Sequence, residues 1–236
     1  MRRFAFFALV LSFGCGGGDA PPAAEPAPAA EATQGDEAPP PPPPREDGLA
    51  VEGILGTISE RAVQRTMEGR QGRYLRCFGE RYEANELLAG TFVLSFRIKT
   101  DGSVRWVYLA ESDVGDRETE RCLLRVAEGT RFSRPQGGEA EFRHSMSVDP
   151  LEREPVAWTA DRAAATIAEN REAIDACAAA GVRITAYVAP GGTVTTAGAA
   201  LDDQEQPEGI DCVLGLVASW TFPDPGSYPA KVSFSL

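Results

Sequence analysis

Few residues of this 236-residue chain are able to do chemistry: five cysteines (Cys15, Cys77, Cys122, Cys177, Cys212), one histidine (His144) and two runs of carboxylates. Nucleophilic catalysis normally needs a base beside the nucleophile. His144 falls in an alternating apolar segment, so it reads as a partly buried strand residue rather than a base. Glu111, Asp113, Asp116, Glu118 and Glu120, and again Asp202, Asp203 and Glu205, lack the D-x-D-x-D-G loop with a distant Glu that specifies calcium. They read as solvated acids leading into a helix N-terminus. There is no C-x-x-C spacing, and His144 is remote in sequence from Cys77, Cys122, Cys177 and Cys212, which disfavours a metal site. The chain is therefore expected to be no enzyme and to carry no cofactor or metal.

Cys15 is the odd cysteine of the five. It follows Arg2, Arg3, an apolar run from Phe4 to Phe13, and Gly14, the order of an export signal. About ten apolar residues fall short of the roughly 20 that span a bilayer as a helix. Ser12-Phe13-Gly14 before the cysteine resembles a bacterial lipobox, with Ser12 where Leu is usual. That resemblance implies a signal over residues 1–14 and a lipid on Cys15. Gly16, rather than Asp, resembles the pattern routed to the outer membrane, facing the periplasm, with the cell surface as the other orientation.

Residues 15–48 are dominated by Ala, Pro and Glu, with six consecutive prolines from Pro39. Such a stretch buries too little to offset the entropy of ordering, and polyproline stays extended and solvated. It is expected to be a disordered tether, reaching on the order of 90 Å at about 3.1 Å per residue. Loss of the signal removes two of the 23 Lys and Arg, which leaves a net charge of −14 against 35 Asp and Glu. That balance argues against nucleic acid and anionic lipid surfaces as partners.

An internal repeat organises the rest. A shift of 100 residues pairs Ser59 with Thr159, Val63 with Ala163, Met67 with Ile167, Tyr74 with Ile174 and Cys77 with Cys177. The spacing from Val63 is that of one helix face, and Ser59 and Thr159 stand where N-caps belong. A shift of 90 then aligns Phe92, Leu94, Phe96 and Ile98 with Val182, Ile184, Ala186 and Val188, an alternation that marks a half-buried strand. Asp101-Gly102 and Gly191-Gly192 supply hairpin turns. Second strands follow over residues 104–110 and 194–200, then helices carrying Cys122 and Cys212, then Phe132 and Phe222, and closing strands that pair Phe142 with Val232 and Met146 with Leu236.

The expected fold is thus α+β: two tandem small domains, residues 49–150 and 155–236, each helix-strand-strand-helix-strand. The shift changes because the first repeat carries extra residues at 80–90, and length changes belong in loops. Each repeat has one cysteine per helix, and an exported chain sits where disulfides persist. Of the three pairings open to four cysteines, Cys77 with Cys122 and Cys177 with Cys212 joins the two helices of each repeat.

Arg73-Tyr74-Leu75-Arg76-Cys77-Phe78, Phe96-Arg97-Ile98, Asp101-Gly102-Ser103-Val104, Glu120-Arg121-Cys122 and Arg131-Phe132 with Pro135 together resemble the C-terminal domain of AgmX and PglI gliding-motility proteins, itself similar to the TonB C-terminal domain. The first repeat covers that pattern. The second keeps Cys177, Gly191-Gly192-Thr193-Val194, Cys212 and Trp220-Thr221-Phe222-Pro223, but has Ala178 where the family prefers an aromatic residue. The resemblance implies a small α+β fold without cofactor or catalysis, found in cell-envelope proteins of motility or transport complexes.

Trp106 and Tyr108 alternate on one face of the second strand, with Val107 and Leu109 on the other. Two apolar faces mark Trp106 and Tyr108 as a candidate binding surface or as the face on which the repeats dock. An open sheet edge offers a further route, the addition of an extended peptide as a strand. Two functions follow: a tethered scaffold that binds another envelope protein, or a structural spacer associated with the cell wall whose repeats pack on each other.

Overall fold

The computed structural model describes residues 55–178, 181–202 and 209–236. The expected signal, the acylated Cys15 and the tether lie outside the described residues.

The N-terminal half begins with two short helices, α1 (Glu60–Glu68) and α2 (Gln71–Gly79), where the sequence predicts one. The break falls at Gly69 and Arg70: the Gly69 N–H closes α1 on the carbonyl of Arg65, and the Arg70 N–H tightens onto Met67. Val63, Met67, Tyr74, Cys77 and Phe78 are nonetheless all buried against the sheet. Ser59 caps α1 as expected, its Oγ accepting from the Ala62 N–H at 3.4 Å. Strands β1 (Gly90–Ile98) and β2 (Val104–Ser112) follow, then α3 (Arg117–Glu128) and β3 (Ala140–Val148). The sheet is antiparallel, in the order β2-β1-β3.

The C-terminal half opens with a three-residue strand, β4 (Val156–Trp158), that no periodicity announces. Helices α4 (Asp161–Glu169) and α5 (Arg171–Ala176) break at Asn170, whose Nδ2 donates to the Thr166 carbonyl at 2.8 Å. Thr159 is not the N-cap. Ala160 holds that position, and the Thr159 hydroxyl bonds the Asp161 carboxylate instead. Strands β5 (Val182–Val188) and β6 (Val194–Leu201), helix α6 (Ile210–Ser219) and β7 (Ala230–Ser235) complete a sheet ordered β4-β7-β5-β6.

Both hairpin turns use glycine for a left-handed backbone, Gly102 at φ +86° and Gly192 at φ +86°. Each turn glycine also packs on backbone: a Cβ on Gly102 would strike the Phe132 carbonyl, and one on Gly192 that of Phe222. The same pairs exchange a hydrogen bond, Phe132 N to Gly102 O at 2.9 Å and Phe222 N to Gly192 O at 2.8 Å. Disulfides join Cys77 to Cys122 and Cys177 to Cys212, as the spacing predicts, and so tie α2 to α3 and close the chain between α5 and α6.

Ala50–Leu236 cluster as one unit. Edge strands β2 and β6 lie against each other without joining into one ladder. Tyr108 and Ala110 of β2 belong to the hydrophobic cluster built mainly from the C-terminal half, with Trp106 and Val93 packed on it. Tyr187 of β5 belongs in turn to the N-terminal cluster. The small residues of β6 (Val-Thr-Thr-Ala-Gly-Ala-Ala-Leu) leave room for this approach.

Candidate functional site

A β-strand carries hydrogen-bonding groups on both flanks, and an unpaired flank is a template for another strand. β3 pairs with β1 along its full nine residues, from Gly90 opposite Val148 to Ile98 opposite Ala140. Its other flank has no strand partner among the described residues. Beside it, between β3 and α1, lies a cavity of about 500 Å³ lined by Gly56, Ile58, Val63, Gln64, Phe142 and His144 among others. Phe142 and His144 are half-buried, their sides toward the groove uncovered. Burial holds the His144 imidazole below its ordinary pKa, which favours the neutral ring.

The matching place in the other half is closed. Val232 and Phe234 of β7 correspond to Phe142 and His144, and both are buried, at 0% and 4% exposure. β4 lies parallel on that flank, with Val156 opposite Ala230, Ala157 opposite Lys231 and Trp158 opposite Val232. The residues corresponding to β4, Gly56, Thr57 and Ile58, take another path. The Gly56 N–H donates to the Glu139 carbonyl at 2.7 Å, and Thr57 and Gln136 exchange backbone hydrogen bonds of 2.8 Å. They thus tie down before β3 begins, which leaves its flank open.

No family model, curated protein or solved structure matches this chain.

The remaining sequence-predicted residues fall at the contact between the halves. Tyr108 is only 7% exposed, and Trp106 is half-buried with its ring 5.7 Å from that of Tyr108. This aromatic face is occupied by the chain's own C-terminal half. His144 sits on β3 opposite Leu94. The carboxylates do not converge, and no cluster of three metal-ligating side chains occurs among the described residues. Asp116 caps α3 by accepting from the Thr119 N–H at 2.8 Å and is held by both Nε and Nη2 of Arg81. Asp113 accepts from the Thr91 N–H and lies 3.6 Å from Lys231.

Glu120 is the exception among the acids. It is fully buried, with Oε1 accepting from Ser112 Oγ at 3.0 Å and Oε2 from the Ala199 N–H of β6 at 2.7 Å. A Cβ on Gly198 would land on this carboxylate, so only glycine leaves space for it. Burial, the dominant cause, raises its pKa to about 7 against the lowering pull of those two hydrogen bonds.

Residues 80–90, present only in the N-terminal half, clasp the other half. The Tyr187 hydroxyl lies 3.2 and 3.1 Å from the carbonyls of Leu87 and Ala89 and accepts from the Ala89 N–H at 3.2 Å. Asn85 Nδ2 donates to Thr196 Oγ1 at 3.0 Å, and Lys231 Nζ donates to the Ala89 carbonyl at 3.0 Å. Sequence reasoning places this segment in a loop and misses its role. The signal was there in Leu87, Leu88 and Ala89, apolar residues that a solvated loop has no reason to carry and that are buried here.

Proposed function

We propose that the chain is a non-enzymatic envelope lipoprotein whose folded part comprises two tandem copies of one small α+β domain of the AgmX/PglI and TonB C-terminal type, and that the first copy captures an extended segment of another envelope protein on β3. The observation that carries this reading is the nine-residue open flank of β3 beside its groove, set against the covered flank of β7. An added strand supplies partners for the backbone of β3, and its alternate side chains fall over Ile58, Val63 and Phe142. The parallel pairing of β4 with β7 is a precedent within the same chain. Lipid on Cys15 and the tether of residues 15–48 hold the capture site at the outer membrane with reach into the periplasm. A motility or envelope transport complex is the setting that the family resemblance offers.

The second reading, a structural spacer of mutually packed repeats, is favoured by the burial of Tyr108 in the other half's cluster. Selection of displayed extended peptides of about eight residues on the purified chain separates the two. Capture predicts enriched peptides of roughly micromolar affinity that crosslink to a photoreactive residue at Ser145 of β3 but not to one at Lys231, on the stretch of β7 that β4 covers. No enrichment, or crosslinks equal at both positions, leaves the spacer.

A further inference from the structure

The charge of the chain is unevenly spread: 15 of its 23 Lys and Arg lie in residues 55–150 and only five in residues 151–236. Half of the ten arginines of the N-terminal half outside its first two helices pair with carboxylates. Arg81, Arg97, Arg105, Arg117 and Arg121 each lie within 3.2 Å of a carboxylate. Nine arginines of this half have no carboxylate within ion-pair distance among the described residues, Arg65 of α1 and Arg134, after α3, among them. Both line one cavity of about 450 Å³, together with Thr57, Ser59, Ser133 and Gln136.

Apart from Ile58 and Ala62, the cavity wall holds hydrogen-bond donors, and it holds no acid. Two guanidiniums present forked N–H pairs, and the three hydroxyls and the Gln136 amide add further donors. The Ser59 hydroxyl already accepts from the Ala62 N–H, so its own proton is free to point outward. Glu60, in the first turn of α1, lines the neighbouring groove instead. A carboxylate's two oxygens are filled by a single guanidinium, whereas two guanidiniums and several hydroxyls match the three terminal oxygens of a phosphate monoester. The N-terminal end of α1 at Ser59 adds a favourable dipole.

We propose that Arg65 and Arg134, with Ser59 and Ser133, form a binding site for a phosphate group, distinct from the β3 flank. The phosphate belongs either to a small phosphoester or to a lipid headgroup, and the two are told apart by the probe. The test uses the purified chain and an R65Q/R134Q variant, titrated with inorganic phosphate while the arginine side-chain Nε–H signals are followed by NMR. Saturable shifts of Arg65 and Arg134 are expected, with affinity falling about tenfold or more in the variant, the scale of losing charge-assisted bonds. Sedimentation with vesicles of phosphatidic acid, whose headgroup is a phosphate monoester, compared with phosphatidylcholine, then assigns the source. Vesicle binding lost in R65Q/R134Q places the site on a lipid headgroup, and phosphate binding without vesicle binding places it on a soluble phosphoester. Non-saturable shifts, shifts spread evenly over other exposed arginines such as Arg73 and Arg171, or an unchanged affinity in R65Q/R134Q overturns the proposal. A melting temperature equal to that of the parent chain excludes misfolding as the cause.

Discussion

Each half of the molecule has two short helices, a hairpin, a third helix and a closing strand, but only the C-terminal half opens with an extra strand, β4, and the outer flanks of the two sheets differ accordingly. In the C-terminal half β4 covers β7 over Ala230 to Val232, and Val232 and Phe234 are buried. In the N-terminal half the corresponding residues 56–58 tie off at Gln136 and Glu139, and β3 is left open beside a groove. The difference comes from the chain path over three residues, which leaves the N-terminal sheet with three strands and gives the C-terminal sheet four. An exposed edge is a liability that proteins ordinarily blunt. That one half covers part of this edge with a strand while the other does not is the contrast on which the proposed capture at β3 rests.

Several substitutions break or sharpen this contrast. The largest effect is expected from the disulfides, which serve both halves alike. Replacing Cys77 and Cys122 together by Ala, or Cys177 and Cys212, opens loops of sequence separation 45 and 35. Chain entropy assigns about 4 kcal/mol to each, so denaturant melts of the two double variants should fall by nearly equal amounts. A marked inequality would mean that one half depends on its disulfide more than the other.

Next comes the acid between the halves. Glu120 keeps its proton up to about pH 7 when folded, against an ordinary value of 4.5. The native state therefore holds more protons than the unfolded chain between these values, and stability falls as pH rises through that window. The contribution is full below about pH 4.5 and lost above pH 7, on the order of 3 kcal/mol in all. Urea melts from pH 5 to pH 8 should show this slope, and Glu120→Gln, a mimic of the protonated acid, should flatten it.

A smaller loss is expected when Trp158→Ala strips β4 of its anchor. Partial loss of a half-buried indole costs about 2 kcal/mol. It should also give β7 the peptide-binding behaviour proposed for β3, read as a second crosslink at Lys231. Tyr187→Phe is milder, about 1–2 kcal/mol, because it leaves backbone groups of Leu87 and Ala89 without their partner. It should also raise proteolysis within residues 80–90.

The strands other than β4, the hairpin turns and both disulfides were legible because each rests on local rules: alternation along Phe92, Leu94, Phe96 and Ile98, glycine at the turn, and one cysteine in each helix of a repeat. The helix breaks at Gly69 and Asn170 were not, because the apolar spacing continues across them and hides a change of direction. The contact between the halves was equally hidden. Gly198 reads as a weak strand residue until Glu120 is seen to fill its place, and Tyr187 reads as a core residue until its hydroxyl meets the backbone of residues 87–89. Such pairings join positions some 80 to 100 residues apart and leave no period in the sequence. The open flank of β3 was foreseen only in kind, since which strand lies at the edge depends on where residues 56–58 go.

The most direct test is amide hydrogen exchange along β3 and β7, first in the free chain and then with a peptide selected on it. The account predicts that alternate amides of β3 between Glu141 and Ser147 exchange rapidly in the free chain and become protected with peptide, while Ala230 to Val232 are slow throughout. Amides of β3 already as protected as those of β7, or unchanged by a peptide that binds, would contradict it.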